Sequence, residues 1–537
     1  MKTSFAIFLA LPLMLCALSD SDFLKLQRTL RQIDANDVKL NVTSFDSKKA
    51  LPNQKTNGDE QRYEDLRGSF GKGLDHLATG FVNQIAFKSL IKALGTGSQS
   101  SFNQIILGIG TRLLANPQGS YAYSLSSNDG WINSMPAAPQ FASAEAAAEM
   151  VELYWTALVR DVNFNDFSTD PTVALAVANL STLTDFTGPK VNGQVTAGTF
   201  LRGNAAGDLI GPYISQFLYQ TIPYGNTSIG PTGQVPVSGT GNDFITTFID
   251  YYTVISGGLT GDAITFDATA RFIRTPRDLT EYVHQDTPGQ AALSALLLLN
   301  SYGSAALDTN NPYLSNPTQD GFVSYGISQV LELLRDAVQE ALKTAWYEKW
   351  QVNRRCRPEE FGFNVQQQIV GGQDLGINDQ LINSPALTSP SGIFATYGSY
   401  FLPQAYPEGS PMHPSYPAGH ATLMGAAVTI LKAFFNEDFT IPSPLEPNAA
   451  NTLLVAYGGT LKVGDELNKL ASNIALGRDH AGVHYRSDGT QGLLLGEKVA
   501  IDILNNSSFL FNENFPGFNL TKFDGTQILV GGKRNTP

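Results

Sequence analysis

Apolar residues recur at helical spacing over several stretches of this chain and are scattered elsewhere. The clearest run is Val323 to Trp350, where Ile327, Leu331, Leu334, Val338, Leu342 and Ala345 fall three or four residues apart. That period predicts an amphipathic helix. Lys349 takes the next place on the stripe, where a lysine is costly unless an anion pairs with it. Pro358 ends the element and biases Arg357 toward extended backbone. Another helix is predicted after His420, with Leu423, Ala427, Ile430 and Leu431 on its apolar side. A further one runs from about Leu461, striped by Val463, Leu467, Leu470 and Ile474, and Arg478 takes the next place. A last helix is expected from near His484 to about Leu504. Helical patterns also dominate residues 66–185, as in Ala144 to Val162, and return between Asp243 and about residue 302.

The remaining stretches read differently. Residues 20–65 are polar and suggest an extended arm. Residues 186–242 are rich in Gly, Thr, Asn and Pro and read as loops with short strands. Residues 371–417 form a long Gly-, Pro- and Ser-rich segment, a kind that is usually functional or disordered. The tail has one strand-like run, Gln527 to Val530. The expected fold is mainly α, a helical bundle core with long loops and a few short strands. Its divisions are 1–19, 20–65, 66–322, a bundle over 323–505, and a tail over 506–537.

Composition narrows the partners. The chain has 537 residues and a formal net charge of −13, which argues against a nucleic-acid or anionic-membrane partner. Lys2, the apolar run Phe5 to Ala17 and the small residues around Ala17-Leu18-Ser19 read as a secretory signal. The run is shorter than the ~20 residues a bilayer crossing needs, and no later segment is long and apolar enough to span. Export to the cell wall or medium is therefore expected. Sequons at Asn41, Asn179, Asn226, Asn505, Asn506 and Asn519 suggest a glycoprotein. Cys16 leaves with the signal, so Cys356 stands alone between Arg355 and Arg357. It is either a thiol activated by those charges or, on the simpler reading, a filler in a packed segment.

The chemistry lies in three separated segments: Lys349 to Pro358 (KWQVNRRCRP), His413 to Ala421 (HPSYPAGHA) and Gly477 to Asp488 (GRDHAGVHYRSD). Packing of the striped helices would bring Lys349, Arg357 and Arg478 together, and three converging cations demand a multiply charged oxyanion. Arginine suits such a ligand because its planar fork makes paired hydrogen bonds. Gly419, at a helix start, offers a backbone N–H. His420 and His484 supply two imidazoles, one to ligate or attack the central atom and one to move protons. Asp488 lies one turn after His484 and can orient its ring or balance Arg478. His480 has no special position and reads as a surface residue.

These segments resemble the signature of the phosphatidic-acid phosphatase type 2 superfamily, which includes the vanadium-dependent haloperoxidases. AWYEKW, RPEEFG, HPSYPAGHAT, GVHYRSDG and the seven residues between Lys349 and Arg357 are similar to the algal bromoperoxidase branch. FGKGLDH around His76 and RTPRDLTEYVH from Arg274 extend the resemblance over about 66–505. The resemblance implies one vanadate per subunit, ligated by His484 and caged by Lys349, Arg357, Arg478 and Gly419. It implies His420 as the acid–base residue and Lys349 as a second catalytic group. His413 would tune the halide side, and Asp278 would be a carboxylate pairing with the cage. It further implies hydrogen peroxide, bromide or iodide, and organic halogen acceptors as partners, with homo-oligomers expected and calcium possible. Most relatives have serine where this chain has Ala418, so one hydroxyl beside the cage is missing. Two alternatives stay open: a secreted acid phosphatase using the same cage, and a non-enzymatic secreted glycoprotein.

Overall fold

The computed structural model of the chain describes residues 19–46 and 48–532. The expected signal lies outside the described residues apart from Ser19. Helix α1, Asp20–Asp46, occupies most of the stretch expected to be an extended arm. Its described side chains are mostly exposed, so no buried stripe marks it, and local helix formers such as Leu, Lys, Gln and Arg carry it.

Helix α2, Ala144–Val159, starts at Ser143, whose hydroxyl accepts from Ala146 N at 3.1 Å, as helix N-caps do. The loop-rich stretch after it contains a hairpin, β1 Ile222–Tyr224 and β2 Thr227–Ile229. Helix α3, Pro276–Tyr282, is capped by Thr275, and α4 is Gln290–Ser301. Helix α5, Ile327–Tyr347, runs into a π-helical turn, Glu348–Asn353, and a left-handed Arg354 at φ 37°. Helix α6, Pro358–Ile369, follows, with Arg357 extended at φ −80°, ψ 157°, the conformation Pro358 favours.

The segment 371–417 is ordered. It forms short helical turns at Asp379–Ile382, Pro385–Thr388 and Ile393–Tyr397, and its last part is largely buried. Helix α7 is Gly419–Phe434, β3 is Leu445–Pro447 and β4 is Leu454–Ala456. Helices α8, Val463–His480, and α9, Arg486–Ser507, complete the bundle. Strands β5, Phe518–Thr521, and β6, Gln527–Val530, close the tail as an antiparallel pair.

Helix α7 is the axis. It packs on α9 and α5 and, less extensively, on α8. A Cβ on Gly425 would stand 2.2 Å from Leu493 O, and one on Gly496 2.0 Å from Thr422 O. Only glycine permits so close a backbone approach, and the approach sets the start of α7 against the start of α9. Ala418 N then donates to Asp488 O at 2.9 Å. Nearly every residue of α7 and α8 is buried, so their stripes were only part of the contact. On α5 the buried face carries Val330, Leu334, Ala337, Ala341 and Ala345, while Leu331 is 41% exposed. The predicted stripe was rotated because close helix packing uses small residues that apolar periodicity underweights. Among the sequons, Asn179 is buried, and its side-chain oxygen accepts from Trp155 Nε1 at 2.9 Å and Ser384 Oγ at 2.7 Å. The folded chain has no room for a glycan there.

Candidate active site

The π turn and the left-handed residue after it let two cations from one segment reach a single loop. Lys349 Nζ donates to Pro414 O at 2.7 Å and to Ser415 O at 2.8 Å. Arg357 Nε donates to His413 O at 2.8 Å, and its Nη1 to Val483 O at 2.7 Å. Both side chains are fully buried. Arg478, at the end of α8, donates from Nη1 to Val283 O at 2.7 Å. Its Nε is buried without a hydrogen-bond partner among the described residues.

His484 sits just before α9. Its Nδ1 lies 2.8 Å from Asp488 Oδ2, and a carboxylate there fixes the proton on Nδ1. Nε2 therefore carries the lone pair, and it accepts from Arg357 Nη1 at 2.9 Å. Asp488 is fully buried and held from several sides. Arg355 Nη1 donates to its Oδ1 at 2.9 Å, Tyr485 N to its Oδ2 at 3.1 Å, and the Ser415 hydroxyl also donates to Oδ2. Arg355 in turn reaches Glu149 at 2.7 Å and lies 3.7 Å from the Tyr485 ring centroid. So Asp488 orients His484 and pairs with Arg355 rather than Arg478.

The electrostatics show convergence. Burial pushes Lys349 well below its usual range, Arg357 adds to the push, Asp488 opposes it and Arg478 adds again. Burial lowers Arg357 to about 10 against the pull of Asp488, with Arg478 lowering it further. Burial also holds His484 far below 6.5, with Arg357, Lys349 and Arg478 acting the same way. The cage therefore has more cationic charge than its carboxylates balance. An oxyanion fits this surplus, and the open Nε of Arg478 is a donor ready for one of its oxygens.

His420 is the first full turn of α7, behind Gly419. The start of that helix has no side-chain cap, because residue 418 is alanine. His420 Nε2 lies 2.9 Å from Asp286 Oδ1, and the side chain is 26% exposed. Burial and then Arg478 lower its pKa, while Asp286 opposes them. His413 is also brought to the cage. Its Nδ1 is 3.0 Å from Arg357 Nη2 and its ring centroid is 4.8 Å from that of Trp346.

Asp278 is not brought to the cage. It caps its own segment, accepting from Arg274 N at 3.0 Å and Arg271 Nη2 at 3.2 Å. Asp286, eight residues on, is the carboxylate that reaches a site histidine. His480 is no surface residue: it is fully buried, neither ring nitrogen has a hydrogen-bond partner among the described residues, and burial takes its pKa down to about 3. Cys356 is buried against Tyr485, and burial raises its thiol pKa, so it is not activated. Arg355, Ser415 and Asp286 were missed. Each lay inside or beside a quoted motif, but spacing alone gave no reason to prefer them.

The chain has clear relatives. The family model for the VCPO second helical-bundle domain matches residues 329–513. The chain is 32% identical over 545 residues to a vanadium-dependent bromoperoxidase of Corallina officinalis, covering 86% of this chain and 90% of that one. It is 33% identical over 500 residues to a vanadium-dependent bromoperoxidase of Ascophyllum nodosum, covering 87% and 89%. The homohexameric structure of the second vanadate-dependent bromoperoxidase from Ascophyllum nodosum matches with a TM-score of 0.87 at 27% identity, over 94% of this chain and 91% of that chain. A helical bundle with this cage, and a third of its residues shared along most of its length, belongs to the vanadium-dependent bromoperoxidase family.

Proposed function

We propose that the cage holds one vanadate per subunit and that the enzyme oxidises bromide or iodide with hydrogen peroxide. The product is a hypohalous species that halogenates organic acceptors. The observation that carries this reading is the cationic surplus around the inward lone pair of His484. When bound, vanadate supplies a Lewis-acid centre that polarises peroxide for attack by halide. His484 is the residue to ligate the metal through Nε2, with Asp488 fixing the tautomer. Lys349, Arg357 and Arg478 would hold the oxygens by charge-assisted hydrogen bonds, and the Gly419 N–H would add a helix-start donor. His420 is kept neutral, and its Nε2–H donates to Asp286. That leaves Nδ1 as the base that would hold a proton taken from hydrogen peroxide. His413, against Trp346 and Arg357, borders the halide side.

A vanadate-free sample assayed with and without added vanadate tests the reading. Vanadate should switch on peroxide-dependent bromination; inhibition of a phosphate-ester hydrolysis instead would favour the phosphatase alternative. His420→Ala should keep the vanadium-51 resonance of the bound form and lose bromide oxidation.

Assembly as a homo-oligomer is supported by the homohexameric neighbour and is checked by light scattering. Export is supported by the N-terminal pattern alone and is checked by the N-terminal sequence of secreted protein. No helix among the described residues is long and apolar enough to cross a membrane.

A further inference from the structure

A cleft of about 500 Å³ opens beside the cage. Its floor is α3 and the turn that follows. Its roof is two loops joined by the bridges Gly233↔Arg271 and Pro236↔Phe266. Val235, Phe266, Ile273 and Tyr282 give it apolar walls. Asp286 belongs to both places: it lines the cleft, and its Oδ1 faces His420 Nε2 at 2.9 Å. The cleft therefore ends one side chain away from the residue placed as acid–base.

Its wall charge is unbalanced at one point. Asp278 faces Arg271 at 3.2 Å and Arg274 at 3.8 Å. Glu281 faces His284 at 3.4 Å. Burial opposes the charge on His284, yet its bonds to Glu281 and Glu408 raise its pKa to about 9, so it is cationic. Asp286 meets no lysine or arginine among the described residues; its partner is the His420 ring at 2.9 Å.

We propose that this cleft binds the organic acceptor and selects an electron-rich aromatic ring that carries a positive charge. Small-molecule sites combine apolar walls with placed polar groups, and this cleft sets its apolar residues against Gln234, Arg271, Asp278, Glu281 and Asp286. Phe266 and Tyr282 offer faces for the ring and for its cation, and Asp286 supplies the counter-charge. The inference rests on the peroxidase reading. With hypobromous acid formed next door, the ring carbon takes the bromine and the Br–O bond breaks. The displaced ring proton leaves with the hydroxide as water. Carbon is oxidised, the electrophilic bromine is reduced, and no further reactant is needed.

The test is a competition between two phenols with the same ring. One carries a trimethylammonium group on a two-carbon arm and the other a carboxylate on the same arm. The vanadate-loaded enzyme brominates an equimolar mixture, and reagent hypobromous acid gives the reference product ratio. The enzyme should favour the cation by about tenfold over the reference, a modest charge-complementarity effect. Gln234 lines the cleft and is exposed, so Gln234→Lys should fold normally. It should return the ratio to the reference while bromide-dependent peroxide consumption stays unchanged. A product ratio equal to the reference in the unmodified enzyme overturns the proposal, as does a selectivity that Gln234→Lys leaves intact. If the loaded enzyme consumes no peroxide with bromide, the peroxidase reading itself fails and this one falls with it.

Discussion

Arg355 and Arg357 are two residues apart and equally buried, yet their surroundings are opposite. Arg355 is enclosed by Glu149 at 2.7 Å, Asp488 at 2.9 Å and the Tyr485 ring. Although burial opposes it, those carboxylates raise its pKa above the ordinary arginine value. Arg357 meets carbonyls and two imidazoles, and burial lowers it to about 10. The same contrast recurs in the next segment. Arg486 is clamped by Glu152, with Nε 2.8 Å from Oε2, whereas Arg478 meets a carbonyl and the Tyr406 hydroxyl. A cation that serves the fold has its counter-charge built in. On the proposed reading, a cation that serves a ligand leaves that place open.

Five substitutions break or sharpen this contrast. The largest effect belongs to His484→Ala, which should abolish bound vanadium by vanadium-51 NMR and with it bromide oxidation. Full peroxidase activity in that variant would show that another group is the ligand. Next comes the arginine pair itself. Arg355→Leu strands Glu149 and Asp488 without their cation and should cost about 3–5 kcal/mol in denaturant unfolding of the vanadate-free protein. Arg357→Leu removes a cation crowded by others, so in the same measurement it should be near neutral or stabilising. Its vanadate affinity should fall roughly 10–100-fold, since a lost hydrogen bond to a charged group is worth about 1.5–3 kcal/mol. Equal destabilisation by both substitutions would erase the distinction.

A smaller effect separates His480 from the site histidines. Its folded pKa is about 3 against an ordinary 6.5. Below 6.5 the unfolded chain takes up a proton that the folded chain refuses. Stability is thus kept above 6.5 and lost as pH falls toward 3, by about 1.4 kcal/mol per pH unit. His480→Leu should flatten that slope by one proton's worth between pH 6.5 and 5, while leaving vanadate binding in place. An unchanged slope would mean that His480 is already charged in the fold. The smallest change is expected of Ala418→Ser. A serine N-cap on α7 should add about 0.5–1 kcal/mol and tighten vanadate binding only slightly, as read by unfolding and by dialysis.

Much of the bundle was legible because its helices announce themselves by period. Helices α7, α8 and α9 and the strand Gln527–Val530 lie near their predicted places, whereas α5 gives way to the π turn at Glu348 and Pro358 starts α6 instead of ending α5. Helix α1 was not legible, because an exposed polar helix buries no stripe to read. Lys349 is buried as its place on the stripe suggested, but it reaches the loop through a π turn that no apolar periodicity encodes. Asp278 and Asp286 show the limit most clearly. Both are carboxylates in one segment, and the turn after α3, rather than spacing, decides which meets His420.

The sequence by itself determined the helical class, the set of cations and imidazoles, and their grouping in three segments. Local rules suffice there, since helix period, proline and capping act within a few residues. Only the tertiary structure decided which arginine is neutralised and which stays available. That choice depends on distances between residues far apart in the chain, such as Glu149 to Arg355 and Arg355 to Asp488. Charge falls off through space rather than along the backbone, so side chains two positions apart acquire opposite roles only once the helices have packed.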